Sequence, residues 1–409
     1  MKRVLSILLV LVAPAAFATN GYFTHGQGTM SKALAGANTA LTQEALDAEA
    51  NPAAAAFVER GYSASLALFS PDRSYTVTGA PSGYPGTFGL QPGTVSSKSK
   101  YFPMPSFGLN LRPTTKDAIA FNFVAKGGMN TDYRTNTFYG GDHTGVDLAQ
   151  MFLTGTYARK LGERQSVGIT AVIAGQRFKA SGLQAFSMFS SNPQDLSNRG
   201  YDTSYGIGAR VGYLARITPQ FSFGAAYAPK IHMSAFKKYS GLFAQDGRFD
   251  IPSSVSAGVA YRIIEPVTIA LDYQRIHYSD VRAVGNPLLP NIATSPLGSD
   301  SGAGFGWKDI NIGKIGVQWK ASDVWTWRAG FAKTDQPIPS TEVLFNILAP
   351  GVIEKHFTFG GSYNRFNFAL MYAPSKTVTG ANPLEAPGQQ SISLKMHEWE
   401  AEFGYSFGF

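Results

Sequence analysis

From Trp399 to the C-terminus the chain alternates strictly between two kinds of residue. Trp399, Ala401, Phe403, Tyr405, Phe407 and Phe409 share one parity, and Glu398, Glu400, Glu402, Gly404, Ser406 and Gly408 the other. A period of two is that of a β-strand, and aromatics on one face with carboxylates on the other describe a strand between lipid and a wet lumen. The same period runs through Tyr205, Ile207, Ala209, Val211, Tyr213 and Ala215, opposed by Gly206, Gly208, Arg210, Gly212, Leu214 and Arg216, with the two tyrosines suited to the membrane interfaces. It recurs in Phe366, Phe368, Leu370 and Tyr372, and in Val255, Ala257, Val259 and Tyr261. The pattern predicts strands over 62–69, 101–112, 116–128, 149–160, 165–178, 204–217, 220–237, 252–263, 266–278, 309–320, 323–334, 355–363, 366–374 and 397–409. That is about fourteen, an even number as bacterial barrels require.

The connections alternate as well. Long segments such as 70–100 and 375–396 are followed by short ones such as Pro113–Thr115, Thr218–Pro219 and Asn364–Arg365, which fits extracellular loops and periplasmic turns. A soluble sandwich or propeller has no reason for that alternation. The expected fold class is therefore all-β: a transmembrane antiparallel β-barrel of about 14 strands over residues 60–409, with an N-terminal plug containing short helices.

Residues 19–59 break the period of two. They are rich in Ala and Gly and contain Asn51, Pro52 and Ala53 followed by Ala54–Ala56. Asn51 is a good helix N-cap and Pro52 a good first helical residue, so a short helix is expected there. The segment is too small for a core of its own and lacks the polar, charged composition of disorder, which points to a plug inside the barrel. Ahead of it, Lys2 and Arg3, the apolar run Val4–Val12 and Ala16-Phe17-Ala18 read as a cleavable signal peptide over residues 1–18, with the mature chain beginning at Thr19. The apolar run falls well short of the roughly 20 residues of a spanning helix.

Composition changes this picture little. Charged residues make up 15% and aromatics 13% of the 409 residues. A mean hydropathy of −0.07 does not exclude a membrane barrel, whose lipid-facing and lumen-facing residues average out. With no Cys, disulfides, zinc–thiolate sites and cysteine nucleophiles are excluded. The formal charge of +8 is dispersed, without the basic runs of a nucleic-acid arm, so no nucleic-acid partner is expected.

Candidate chemistry is sparse. None of His25, His143, His232, His277, His356 and His397 lies in a metal-ligand spacing. Asp142-His143 reads as a solvated pair rather than half of a dyad, and Gly302–Gly306 lies in a loop with no following helix. Glu398, Glu400 and Glu402 share one lumen face and are expected to line the lumen or hold the plug. No metal, no cofactor and no enzymatic activity are expected, although an outer-membrane barrel enzyme and a general porin are the competing classes.

Several segments carry a resemblance. Asn20-Gly21-Tyr22-Phe23, the Gly-rich stretch through Gly36, and Asn51-Pro52-Ala53 resemble the N-terminal hatch of the FadL family of outer-membrane long-chain fatty acid and hydrocarbon transporters. The likeness continues in Gly182–Phe186, in Ile251–Val255, and in Gln336–Pro339 with Phe345-Asn346. It implies transport of hydrophobic small molecules, most of all long-chain fatty acids, with aromatic and other hydrocarbons as the alternative. It also implies a hatch-closed barrel, an apolar groove between outer loops, and an inward kink of the third strand that opens the wall sideways. Gly127 and Gly128, at the end of the third expected strand, suit distorted backbone. With Tyr22, Phe23, Asn51, Pro52 and Ala53 they form the candidate hatch and gating set.

Two apolar clusters in segments that should otherwise be polar are the candidate ligand groove: Leu183, Phe186, Met188 and Phe189, and Leu344, Phe345, Ile347 and Leu348. Arg177 and Lys179 are candidate partners for a carboxylate head group by charge. The terminal Phe409, preceded by Tyr405 and Phe407, resembles the C-terminal assembly signal of outer-membrane barrels. Expected partners are thus a hydrophobic small molecule, outer-membrane lipids and lipopolysaccharide, and the barrel-assembly machinery. A monomer in the outer membrane of a Gram-negative bacterium is expected.

Overall fold

The computed structural model describes residues 20–409. The proposed signal peptide and Thr19 lie outside the described residues. Fourteen strands form a closed antiparallel barrel, each hydrogen-bonded to its sequence neighbour and the last, β15 (Ser391–Gly408), closing on the first, β1 (Gly61–Thr78). A further short strand, β2 (Gly93–Ser96), pairs with the upper end of β1 on the edge that β3 occupies lower down. The others are β3 (Phe102–Leu111), β4 (Asp117–Tyr133), β5 (Thr144–Lys160), β6 (Gln165–Ser181), β7 (Asp202–Arg216), β8 (Phe221–Ala228), β9 (Ser254–Ile264), β10 (Val267–Ile276), β11 (Ile310–Lys320), β12 (Trp325–Thr334), β13 (Lys355–Tyr363) and β14 (Phe366–Ala381). Closure leaves no full-length edge to pair with another chain, which a span through hydrocarbon demands.

Sidedness follows the sequence pattern. On β15, Trp399 and Phe403 are exposed to the outside, while Glu398, Glu400 and Glu402 are buried in the lumen. The alternation underestimates several strands: β1 continues to Thr78, β4 to Tyr133 and β14 to Ala381, while β5 starts at Thr144 and β15 at Ser391. These extensions lie above the lipid-facing band, where the outer face need not be apolar and the period fades. In the opposite direction, the strand expected over 220–237 ends at Ala228, because Pro229 has no N–H and the chain turns away from the wall.

Residues 20–59 lie inside the barrel and are mostly buried. They carry a short α-helix (Thr29–Lys32) and two 3₁₀ turns (Ala45–Glu49 and Pro52–Ala56). Asn51 caps the second turn by accepting the N–H of Ala53 at 3.1 Å, and its side-chain amide donates to the carbonyls of Thr39 and Tyr213, each at 2.9 Å. The cap thus also pins the segment to β7. Other lumen side chains hold it from all round the wall. Lys32 pairs with Glu400 at 2.8 Å and Glu402 at 2.6 Å. Arg210 donates to the Glu49 carbonyl at 2.6 Å, and Asp272 accepts the N–H of Thr39 at 2.8 Å. Glu398, expected to act with its two neighbours, makes no hydrogen bond to the segment.

Candidate functional site

Among the described residues, two cavities bear on transport, one against the outer loops and one against the hatch. The upper, about 500 Å³, is enclosed by side chains from the outer loops and the strand tops, among them Val146, Phe178, Leu183, Phe186, Phe243, Phe305, Phe345 and Leu348. Among the described residues, no charged side chain lines it. Phe186 and Phe345 meet edge-on with ring centroids 5.2 Å apart, and Phe138 and Phe88 back Phe186 at 5.5 and 5.0 Å. Half-way along a loop, such a cluster covers itself by packing loop on loop and leaves a gap shaped by rings.

The expected ligand residues divide here. Leu183, Phe186, Phe345 and Leu348 line the upper cavity, whereas Leu344 and Ile347 are buried behind its wall. Met188 is 83% exposed and Phe189 sits at the surface, so neither reaches the cavity. Arg177 and Lys179 are not brought to it either. They alternate with the inward-facing Gln176, Phe178 and Ala180, and both cations lie over the ring of Tyr201, at 4.7 and 4.9 Å. His143, expected to form a solvated pair with Asp142, pairs instead with Asp132 at 2.8 Å.

The lower cavity, about 1000 Å³, lies against the hatch and is mixed in character. Phe23, His25, Glu49, Lys126, Arg210, Asp272 and Lys314 are among its lining residues. Tyr22 and Phe23 stand between the two spaces. The Tyr22 ring is 5.9 Å from Trp307 and 5.8 Å from Phe249, and these touch two upper-cavity residues, Phe305 at 6.5 Å and Phe243 at 5.1 Å. Tyr278 lies 5.0 Å from Tyr22 and donates its hydroxyl to the Asn20 carbonyl. Sequence reasoning missed Trp307, Phe249 and Tyr278, which are dispersed among loops and share no period.

This same end of the hatch is stitched to β4. Gly128 donates its N–H to the Tyr22 carbonyl at 2.9 Å, Thr24 donates to the Lys126 carbonyl at 3.3 Å, and Phe23 forms a bridge with Gly127. A Cβ on Gly127 would lie 2.5 Å from the Tyr22 carbonyl oxygen, so only glycine admits the approach. Gly127 and Gly128 therefore do not end the strand. They lie within β4, beside a register shift between Ala125 and Gly127 against β5.

On its other side β4 loses its partner. Pairing with β3 stops at Ser106–Val124, although β3 stays paired with β1 as far as Phe102. Pro103 and Pro105 sit in that stretch. Alternate residues of a strand present their N–H to the same neighbour, so two prolines two apart remove donors from one edge. Because the β1 side remains paired, the bare edge faces β4.

Residues 9–368 match the family described as Outer membrane protein transport protein (OMPP1/FadL/TodX). The chain belongs to that family: it is an outer-membrane β-barrel of a Gram-negative bacterium that transports hydrophobic compounds. Among solved structures it resembles a Pseudomonas aeruginosa FadL homologue at 16% identity, covering 95% of this chain and 100% of that one, with a TM-score of 0.68. It is similar also to the P. putida toluene transporter TodX, at 16% identity over 94% of this chain and 100% of that one, TM-score 0.63. The Ralstonia pickettii toluene transporter TbuX matches at 18% identity over 94% and 99%, TM-score 0.63. At these identities the likeness is one of fold. No curated protein matches the sequence significantly.

Proposed function

We propose that the chain admits small uncharged hydrophobic molecules, such as monoaromatic hydrocarbons, through the upper cavity and past the Tyr22–Phe23 gate, and releases them sideways into the membrane where β3 and β4 part. The observation that carries the substrate class is the lining of the upper cavity, which offers rings and aliphatic side chains and no charge. Each methylene-sized group moved there from water gains about 0.8 kcal/mol, whereas an unpaired carboxylate would lose several. The description of two structural relatives as toluene transporters is in keeping with this reading. A long-chain fatty acid is the second reading, favoured by Lys126 and Lys314, which could take its carboxylate in the lower cavity. Lateral release suits either ligand, because it exchanges one apolar environment for another rather than returning the molecule to water. The test is uptake of labelled toluene and labelled oleate by cells making the chain. Toluene uptake above the background of cells without it, with oleate unchanged, supports the first reading. The reverse result would replace it with the second.

A further inference from the structure

The barrel wall has another discontinuity, away from β3 and β4. β7 is paired with β6 from Asp202 to Ala215, yet with β8 it pairs only from Val211–Tyr227 to Arg216–Ser222. The two sides rejoin higher up, where Gly206 bridges Met233 and Ser234 donates its N–H to the Tyr205 carbonyl at 2.8 Å. Between these points Ile207 to Arg210 face Ala228 to His232 with no ladder. The sequence gives the reason. Pro229 ends β8, and the chain beyond it passes over the inner face of β7 instead of beside it. Ile231 and Met233 are buried there, and a Cβ on Gly208 would lie 2.5 Å from the Ile231 side chain, with Met233 crowding Gly206 in the same way. Glycines at 206 and 208 make room for this detour.

The detour opens the wall to the lower cavity. Residues lining that cavity include lumen groups such as Glu49, Lys126 and Arg210, but also Ala209 and Tyr227. Ala209 belongs to the outward-facing set of β7 with Ile207, 81% exposed, and Tyr227 is itself an exposed outward residue. A cavity lined by residues of both sets lies against the unpaired stretch of the wall. Its position is also informative, because Ala209 lies midway between Tyr205 and Tyr213, within the lipid-facing band rather than above it.

We propose that the gap between β7 and β8 is a second lateral window, through which the lower cavity meets the acyl chains of the outer membrane and an apolar solute leaves or enters. Ile207, Ala209, Ala228 and Pro229 on its rim are apolar, and the two polar residues of the same stretch are engaged elsewhere, Lys230 with the Asp280 carbonyl at 3.2 Å and His232 with Asp250 at 3.1 Å. As a route for solute the window rests on the transport reading above; as an opening to lipid it does not.

Because the chain has no cysteine, a single label can be placed cleanly. A bimane fluorophore on Ala226→Cys, an inward position lining the cavity, is read in vesicles whose lipids carry bromine on the acyl chains. Bromine-dependent contact quenching, taken for each variant relative to the same variant in unbrominated lipid, is expected to be at least threefold stronger than for a label on Ala174→Cys, which faces inward from a fully paired wall. Adding Ala209→Trp or, separately, Ala228→Trp should abolish the excess. Equal quenching at the two label sites, or an excess that both tryptophans leave intact, would overturn the window. Toluene uptake then separates the two claims. A severalfold loss in Ala209→Trp, with Ala171→Trp on the neighbouring closed wall unaffected, supports passage through the window. Excess quenching with no toluene uptake by the unaltered chain would uphold the opening and sink the transport reading, whereas uptake without excess quenching would do the opposite.

Discussion

Gly128 in the barrel wall donates its backbone N–H to the carbonyl of Tyr22 in the hatch, at 2.9 Å. That contact joins the segment dividing the two cavities to the strand beside the β3–β4 gap. A ligand that pushes Tyr22 aside must strain or break it, and a ligand can shift such an element only by binding one arrangement better than the other. Gly127→Val, which forces a side chain against the Tyr22 carbonyl and the Phe23 ring, is expected to detach this end of the hatch. Insertion should persist, because the β4–β5 ladder remains. Heat-modifiable migration on gels would report the barrel, and faster cleavage of the hatch by a periplasmic-side protease the detachment. Unchanged cleavage would count against the coupling.

Phe23→Ala should alter uptake while leaving assembly intact. The ring lines the lower cavity and stacks on Tyr278 at 6.0 Å, so its loss removes part of the partition between the cavities and costs about 3–5 kcal/mol of local packing at most. The measurement is the initial rate of labelled toluene uptake at equal outer-membrane abundance. An identical rate would show that the ring is only packing.

Lys32 is 3% exposed and faces Glu400 and Glu402 together. Replacing it by Met leaves two buried carboxylates without their cation, a loss on the order of 3–5 kcal/mol, directed at the hatch rather than at the barrel ladders. Planar-bilayer recordings should show frequent openings in Lys32→Met where the unaltered chain is quiet. A silent Lys32→Met would mean that the other anchors suffice.

His25 gives the hatch a sensitivity to acid. Burial, with Lys32 and then Lys314 nearby, pushes its imidazole down to about 3, from about 6.5 when the hatch is released. The released state therefore binds this proton more readily, so the contribution of His25 to hatch docking is lost as pH falls through about 6.5 toward about 3, against the buried Glu44 and Asp47 carboxyls, whose raised values act in the opposite sense. Protection factors of amides in residues 20–36, taken against the intrinsic exchange rate at each pH, should fall over that range relative to those in His25→Phe. An equal response in both would place the sensitivity elsewhere.

Much of this was legible in the sequence and some was not. The parity of Trp399 to Phe409 is enough to set the sidedness of β15, and Asn51-Pro52 is enough to set a capped turn, because each signal is local. The same parity argument, carried from Val167 and Ile169 through Ile173, puts Arg177 and Lys179 on the outer face; ending the strand at 178 obscured it. Pro103, Pro105 and Pro229 mark both wall discontinuities, yet a proline in a strand does not say which neighbour it deprives. The cluster of Tyr22, Phe249, Tyr278 and Trp307 joins residues from distant loops, and only the folded chain brings them together.

Phe409 stacks on Phe407, and the Arg60 guanidinium lies 4.7 Å from its ring. If these aromatics form the assembly signal, deleting Phe409 should lower outer-membrane insertion severalfold and leave aggregates in the periplasm, with uptake per inserted molecule unchanged. Fractionation followed by immunoblotting measures this, and normal insertion of the truncated chain would remove the residue from that role.

The most direct test of hydrophobic passage through the upper cavity is toluene uptake by a chain carrying Phe186→Glu and Phe345→Glu together, at matched outer-membrane abundance. Two carboxylates at the edge-on ring pair would demand water in a space now lined without charge, at several kcal/mol each if they stayed ionised. The account predicts at least a tenfold loss of uptake with the barrel still heat-modifiable; uptake equal to that of the unaltered chain would contradict it.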